Sequence, residues 1–276
     1  NTGTLYKATE SIAGSIAKDV YYFAGNAKNN WVKFAGYYWR IIRTNADGSV
    51  RLLYSGISPD TTEGYIGETT FNDSYDDAMY VGYMYGTSGA LVSNRTNEND
   101  STIKTYIDNW YSTNLSSYSK YISTTAVYCN DRKAPDYDTS NGFDYYVYTR
   151  LYTNNQPTYN CEDSSDAFSG SNSEAKLTYP IGLMTADEIT YAGGCTQTEL
   201  PSPYAWYYLN SAGESITGST KWWLLSPFAW GGGLASSSVM YGSYNPGLLY
   251  GTDVVSDDGV RPVISLKGDL IWKSGD

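Results

Sequence analysis

The chain has 276 residues, enough to bury a sizeable core, with 17% charged and 16% aromatic residues and a net charge of −11. That charge argues against nucleic acid or an anionic membrane surface as partner, and no apolar stretch reaches bilayer-spanning length. Histidine is absent, which removes the usual general base near neutral pH and every imidazole metal ligand.

In chain order, Lys7 to Lys18 reads as a short helix, because Ile12, Ile16 and Val20 recur on one face. Residues 1–19 are therefore expected to be a helical lead-in, the remnant of an anchor. The chain starts at Asn1 rather than Met, in keeping with a processed product anchored through a preceding segment. Strands are expected at Val20–Ala24, Trp31–Phe34, Tyr37–Arg43 and Ser49–Tyr54, the last two joined by the Asp-Gly turn of Asn45-Ala46-Asp47-Gly48. Another short strand is expected at Met79–Tyr85. A helix then starts at Ser101, with Ile103, Ile107 and Trp110 on one face and a pattern that runs on through Leu115, Tyr118 and Ile122.

The stretch from Asp131 to Lys176 is polar and irregular, as surface insertions are. Thr185-Ala186-Asp187-Glu188 is a capping box that opens a second helix, and Gly193-Gly194 ends it. Val260–Leu266 closes the chain as a strand, free to pair with the N-terminal strands. Segregated strands and helices of this kind predict an α+β fold with long loops.

Three cysteines, Cys129, Cys161 and Cys195, lack the spacing of a metal site and allow one disulfide plus a spare thiol, or three thiols. The loop-like stretch between Cys129 and Cys161 favours a disulfide there, and the Tyr/Asn/Ser/Thr/Gly-rich composition suggests an oxidising, extracellular setting. Catalysis by Ser226 lacks an activating histidine, and no nucleophile elbow is present. Asp73, Asp76 and Asp77, and Asp253, Asp257 and Asp258, form two acidic loops without EF-hand spacing, so they read as turn carboxylates. Gly231-Gly232-Gly233 lacks the lysine and helix of a phosphate cradle and reads as a turn.

The segment 221–262 mixes Tyr, Ser, Gly and Asn as antibody combining loops do. Trp230, Leu234, Tyr241, Tyr244, Leu248, Leu249 and Tyr250 would form an apolar face, with Ser236, Ser238, Ser243, Asn245 and Thr252 as hydrogen-bonding groups. Trp222, Trp223, Leu225, Val260, Val263 and Ile264 are the expected buried anchors. Arg261 is expected to pair internally, with a carboxylate or with carbonyls.

Two signatures meet at this end: Trp222-Trp223-Leu224-Leu225-Ser226-Pro227, and Gly259-Val260-Arg261-Pro262-Val263-Ile264. With Phe34–Arg43 and Tyr179–Glu188 upstream, the chain resembles C-type-lectin-fold proteins of the formylglycine-generating-enzyme-like subgroup. That subgroup includes the variable proteins of diversity-generating retroelements and bacterial surface proteins with a pilin-like N-terminal helix. The resemblance implies a C-type lectin fold over 20–276, with 221–262 as its ligand-binding segment. It also implies diversification at adenine-rich codons, which cannot reach Trp, Met, Gln, Lys or Glu. From Gly231 to Val260 only Met240 belongs to that set.

The enzymes of the superfamily use a C-terminal cysteine pair, whereas no cysteine follows Cys195 here. The calcium-dependent sugar-binding triplets are also missing. The sequence therefore leads to a non-enzymatic surface protein with neither cofactor nor metal, whose partner is a protein or glycan on another cell or surface. A glycan-processing enzyme built on a carboxylate pair and a structural pilus or surface-layer subunit are the alternatives.

Overall fold

The computed structural model describes residues 4–134, 137, 140–194, 205–240 and 248–274. The fold is mixed α+β. Five strands open it: β1 (Thr4–Glu10), β2 (Lys18–Ala24), β3 (Trp31–Phe34), β4 (Tyr37–Thr44) and β5 (Val50–Tyr54). The expected N-terminal helix is therefore a hairpin: residues 4–19, within the expected helical lead-in, form strands and a turn. Ala13 and Gly14 take left-handed conformations (φ +46° and +76°) in a turn closed by Ser15. Gly14 is costly inside a helix, and Tyr6 gains a stacked partner in Tyr22 by pairing as a strand. Ile16 is 88% exposed at the turn, so the isoleucine spacing marked no buried face.

β4 and β5 pair through the expected turn, with Gly48 at φ +85° and Asp47 accepting from the Ser49 amide. The short strand β6 (Glu68–Thr69) follows. The stretch expected to be a strand at Met79–Tyr85 is instead a 3-10 turn, Ala78–Val81, capped by Asp77 and followed by a two-residue strand at Met84–Tyr85. Helix α1 (Thr102–Asn114) is capped by Ser101 and buries Ile103, Ile107 and Tyr111. It stops short of the predicted continuation: Ser116–Tyr121 tightens into a 3-10 turn, exposing Tyr118 and burying Ile122.

Cys129 and Cys161 are joined by a disulfide that closes a loop with a sequence separation of 32 residues. Closing a loop of that length lowers unfolded-chain entropy by about 3–4 kcal/mol in the chain-entropy account. Within it lie β7 (Phe143–Asp144) and a helical turn, Tyr146–Tyr148, that widens into a π turn at Thr149–Thr153. β8 (Gly182–Leu183) leads to α2 (Ala186–Ala192), whose capping box is complete and whose end is Gly193 at φ +106°. The last strands are β9 (Trp222–Gly231), β10 (Leu234–Met240), β11 (Leu249–Asp253), β12 (Asp258–Gly259) and β13 (Pro262–Leu266).

Two sheets carry the fold. The first runs β1-β2-β4-β5-β13-β8, with β3 also on β4. The closing strand thus pairs, as expected, with one of the N-terminal strands, β5, and on its other edge with β8. The second runs β11-β10-β9-β12-β6, with β7 also on β9. They meet at the start of α2. There the Leu225 amide donates to the Met184 carbonyl, and the Ser226 hydroxyl accepts from the Ala186 amide. Ser226, weighed above as a nucleophile, is a buried strut between sheet and helix.

Candidate functional site

β9 anchors this end of the chain in the core. Trp222, Trp223, Leu224 and Leu225 are all fully buried, as are Val260, Val263 and Ile264. Trp223 donates its indole N–H to the Thr69 carbonyl and meets Phe71 edge-on. Trp222 lies under the Arg261 guanidinium, 4.7 Å from ring centroid to carbon. Arg261 itself donates to the carbonyls of Tyr54, Gly64 and Tyr207. Its partners among the described residues are carbonyls, not carboxylates, and it sits in the frame rather than at the surface.

The three glycines make the β9–β10 turn. Gly232 and Gly233 both have positive φ (+61° and +80°), the two-residue geometry whose twist suits a hairpin. β10 then pairs with β11, placing Ser236 opposite Asp253, Ser237 opposite Thr252 and Ser238 opposite Gly251. The segment that reads as adaptable loop is thus a three-stranded meander whose first strand is buried from Trp222 to Pro227.

The predicted site residues separate by position. Trp230 is 7% exposed and belongs to the core, where it pairs with Ala235, and Leu249 is fully buried. Leu234, Ser236, Leu248 and Thr252 are half-buried, and Tyr250 is 51% exposed. The Ser236 hydroxyl is 3.3 Å from Asp253, and Thr252 Oγ1 is 3.2 Å from Lys221 Nζ. Ser238 lies within β10, and Tyr241, Ser243, Tyr244 and Asn245 fall outside the described residues, as does Cys195.

Around Tyr250 the structure assembles rings that the sequence pattern did not connect. Phe228 lies 5.9 Å from Tyr250 and meets Tyr148 and Tyr152 edge-on at 4.9 and 5.3 Å. Tyr148 and Tyr152 stack on each other at 4.5 Å. Gly251 permits this arrangement, since a Cβ there would lie 2.2 Å from the Phe228 ring. Tyr148, Tyr152 and Phe228 are each half-buried, so the cluster shows one side to solvent. The i, i+4 spacing of the two tyrosines was the available signal, hidden in a stretch that otherwise looks like loop.

The acidic loops are occupied locally. Asp73 accepts from the Thr70 and Thr102 hydroxyls, and Asp77 from the Met79 amide and the Ser88 hydroxyl. Among the described residues, no group of three His, Cys, Asp or Glu side chains is placed to hold a metal ion, and no helix is long and apolar enough to cross a membrane.

Asp258 is the electrostatic exception. Burial pushes its carboxyl up to about 6, against the pull of Lys221, and Glu68 and Asp257 add to the rise. A carboxyl raised on folding binds its proton more tightly in the native state. Its contribution to stability is therefore most favourable below the unfolded value near 4, falls through the window up to about 6, and is flat above. Urea unfolding followed from pH 4 to pH 7 should show Asp258→Asn gaining on the wild type as pH rises, by on the order of 2 kcal/mol. Parallel profiles for the two proteins would refute this.

A scan against family models matched none, and neither curated proteins nor solved structures gave a match to the chain.

Proposed function

We propose that this chain is a non-enzymatic binding protein that works at the cell surface or beyond it, on a C-type lectin frame. The observation that carries the reading is the contrast across the meander β9–β11. Its first strand is buried from Trp222 to Pro227, while further along it Phe228 joins Tyr250, Tyr148 and Tyr152 in an aromatic patch that faces solvent. Tyrosine suits such a surface because a large amphipathic ring with few rotatable bonds loses little entropy on binding.

The lectin-frame part of the proposal draws on how the two end motifs sit together. Gly259 is the parallel neighbour of Trp222, and Arg261 caps the Trp222 ring. The disulfide favours an oxidising compartment. Retroelement diversification of the surface belongs to the same proposal and rests on residue usage alone. The ligand class that fits is a protein or glycan able to stack on aromatic rings.

The test is a screen of the full chain, biotinylated, against glycan and cell-surface protein arrays, with hits repeated on a Tyr148→Ser, Tyr250→Ser double variant. At least tenfold weaker binding with the far-ultraviolet dichroism preserved is the expected result. Hits that ignore the double variant, or turnover of an arrayed glycan, would overturn the proposal.

A further inference from the structure

A groove of about 1110 Å³ lies away from the meander, along β3. Its lining includes five consecutive residues, Trp31 to Ala35. Neighbours along a strand point to opposite faces, so a groove touching all of them follows the strand's edge rather than one face. That edge is open: β3 pairs with β4 alone among the described residues. An added strand requires outward amides and carbonyls, and the four-residue β3 offers a short run of them.

The walls are mixed, with aromatic and aliphatic side chains among polar groups. Phe34 meets Tyr118 and Tyr121 edge-on at 5.5 and 6.3 Å, and across from them stand Ile271, 96% exposed, and Trp272, 44% exposed. The rim is basic in a chain that carries −11 overall. Lys33 and Lys273 line the groove, and no Asp or Glu does among the described residues. The Lys33 ammonium stands 5.4 Å from the Tyr38 ring centroid, and Lys120 stands 4.8 Å from that of Tyr121. None of these three lysines takes part in an ion pair among the described residues.

We infer that this groove binds an extended acidic peptide segment of a partner protein, which adds a strand to the free edge of β3. Its main chain would pair with Trp31–Lys33. Alternate apolar side chains would enter the aromatic walls, and its carboxylates would meet the lysine rim. Charge complementarity chooses this occupant: the lysines of the rim call for carboxylates, and among the described residues the groove's own lining supplies none.

The experiment uses the full chain and a labelled peptide alternating glutamate with isoleucine and phenylalanine, followed by fluorescence anisotropy. Saturable binding is expected, weakening at least tenfold in a Lys33→Glu, Lys273→Glu double variant and in high salt. A peptide N-methylated at alternate residues should lose binding, as should one with lysine in place of glutamate. Equal binding of the acidic and basic peptides, or indifference to N-methylation, would overturn the proposal. So would binding only to phosphatidylserine vesicles, or a dimer in sedimentation equilibrium that the double variant abolishes.

Discussion

Replacing Glu188 by alanine is expected to cost about 3–5 kcal/mol of folding stability, the range for breaking a buried ion pair from one side. One oxygen of its carboxylate accepts from Arg43 Nε at 2.9 Å and Arg51 Nη1 at 2.6 Å, and the other from the Thr185 amide at 3.0 Å. Arg43 reaches on to Glu10 at 2.9 Å, so a single network ties β1, β4, β5 and α2 together. All four charged side chains are at most 4% exposed. Removing Glu188 leaves Arg51 without a carboxylate among the described residues and takes away half of the capping box. The melting temperature should fall by roughly 10 °C for a chain of this size.

Burial alone would raise the Glu188 carboxyl, but Arg51 and Arg43 outweigh it and hold it below the usual range. Its stabilisation is therefore complete above the unfolded value near 4 and is lost as pH falls through the lower folded value. Urea unfolding at neutral pH and in acid checks both statements. An alanine variant with an unchanged midpoint would show that the network does not hold these elements together.

That network also shows how far a sequence can be read. The Thr185 capping box was legible because it is local, and so were the Asp-Gly turn and the Ser101 cap. The arginines were not, since Arg43 and Glu188 lie 145 residues apart and nothing in either neighbourhood announces the pair. Local spacing misled at the N-terminus, where Ile12 and Ile16 mimic a helical face but sit in a turn beside Gly14. Cross-strand pairing with Tyr22 overrode that periodicity.

At the site, composition gave the tyrosine-rich meander but not its two sides. Trp230 and Tyr250 look equivalent in a list of aromatic residues, yet one belongs to the core and the other faces water. Strand register decides that difference, and register depends on the bulge between Pro227 and Ala229. The aromatic cluster draws on two chain segments and became visible only in three dimensions.

Truncating Trp222 to alanine should cost about 3–5 kcal/mol, whereas Tyr250→Ala should cost less than about 1 kcal/mol. Trp222 is fully buried, and losing it removes a large packed ring and the face on which the Arg261 cation rests. Tyr250 is half exposed, and its ring contact with Phe228 sits on the outer side of the meander. This asymmetry is the physical condition for a surface whose residues can change while the frame stays folded. Chemical denaturation of the two single variants and the double variant measures it, because independent sites should give additive losses. A Tyr250 loss as large as that of Trp222, or strong coupling between them, would mean that the outward ring is structural and that exchanging it for another residue would unfold the protein rather than alter its partner.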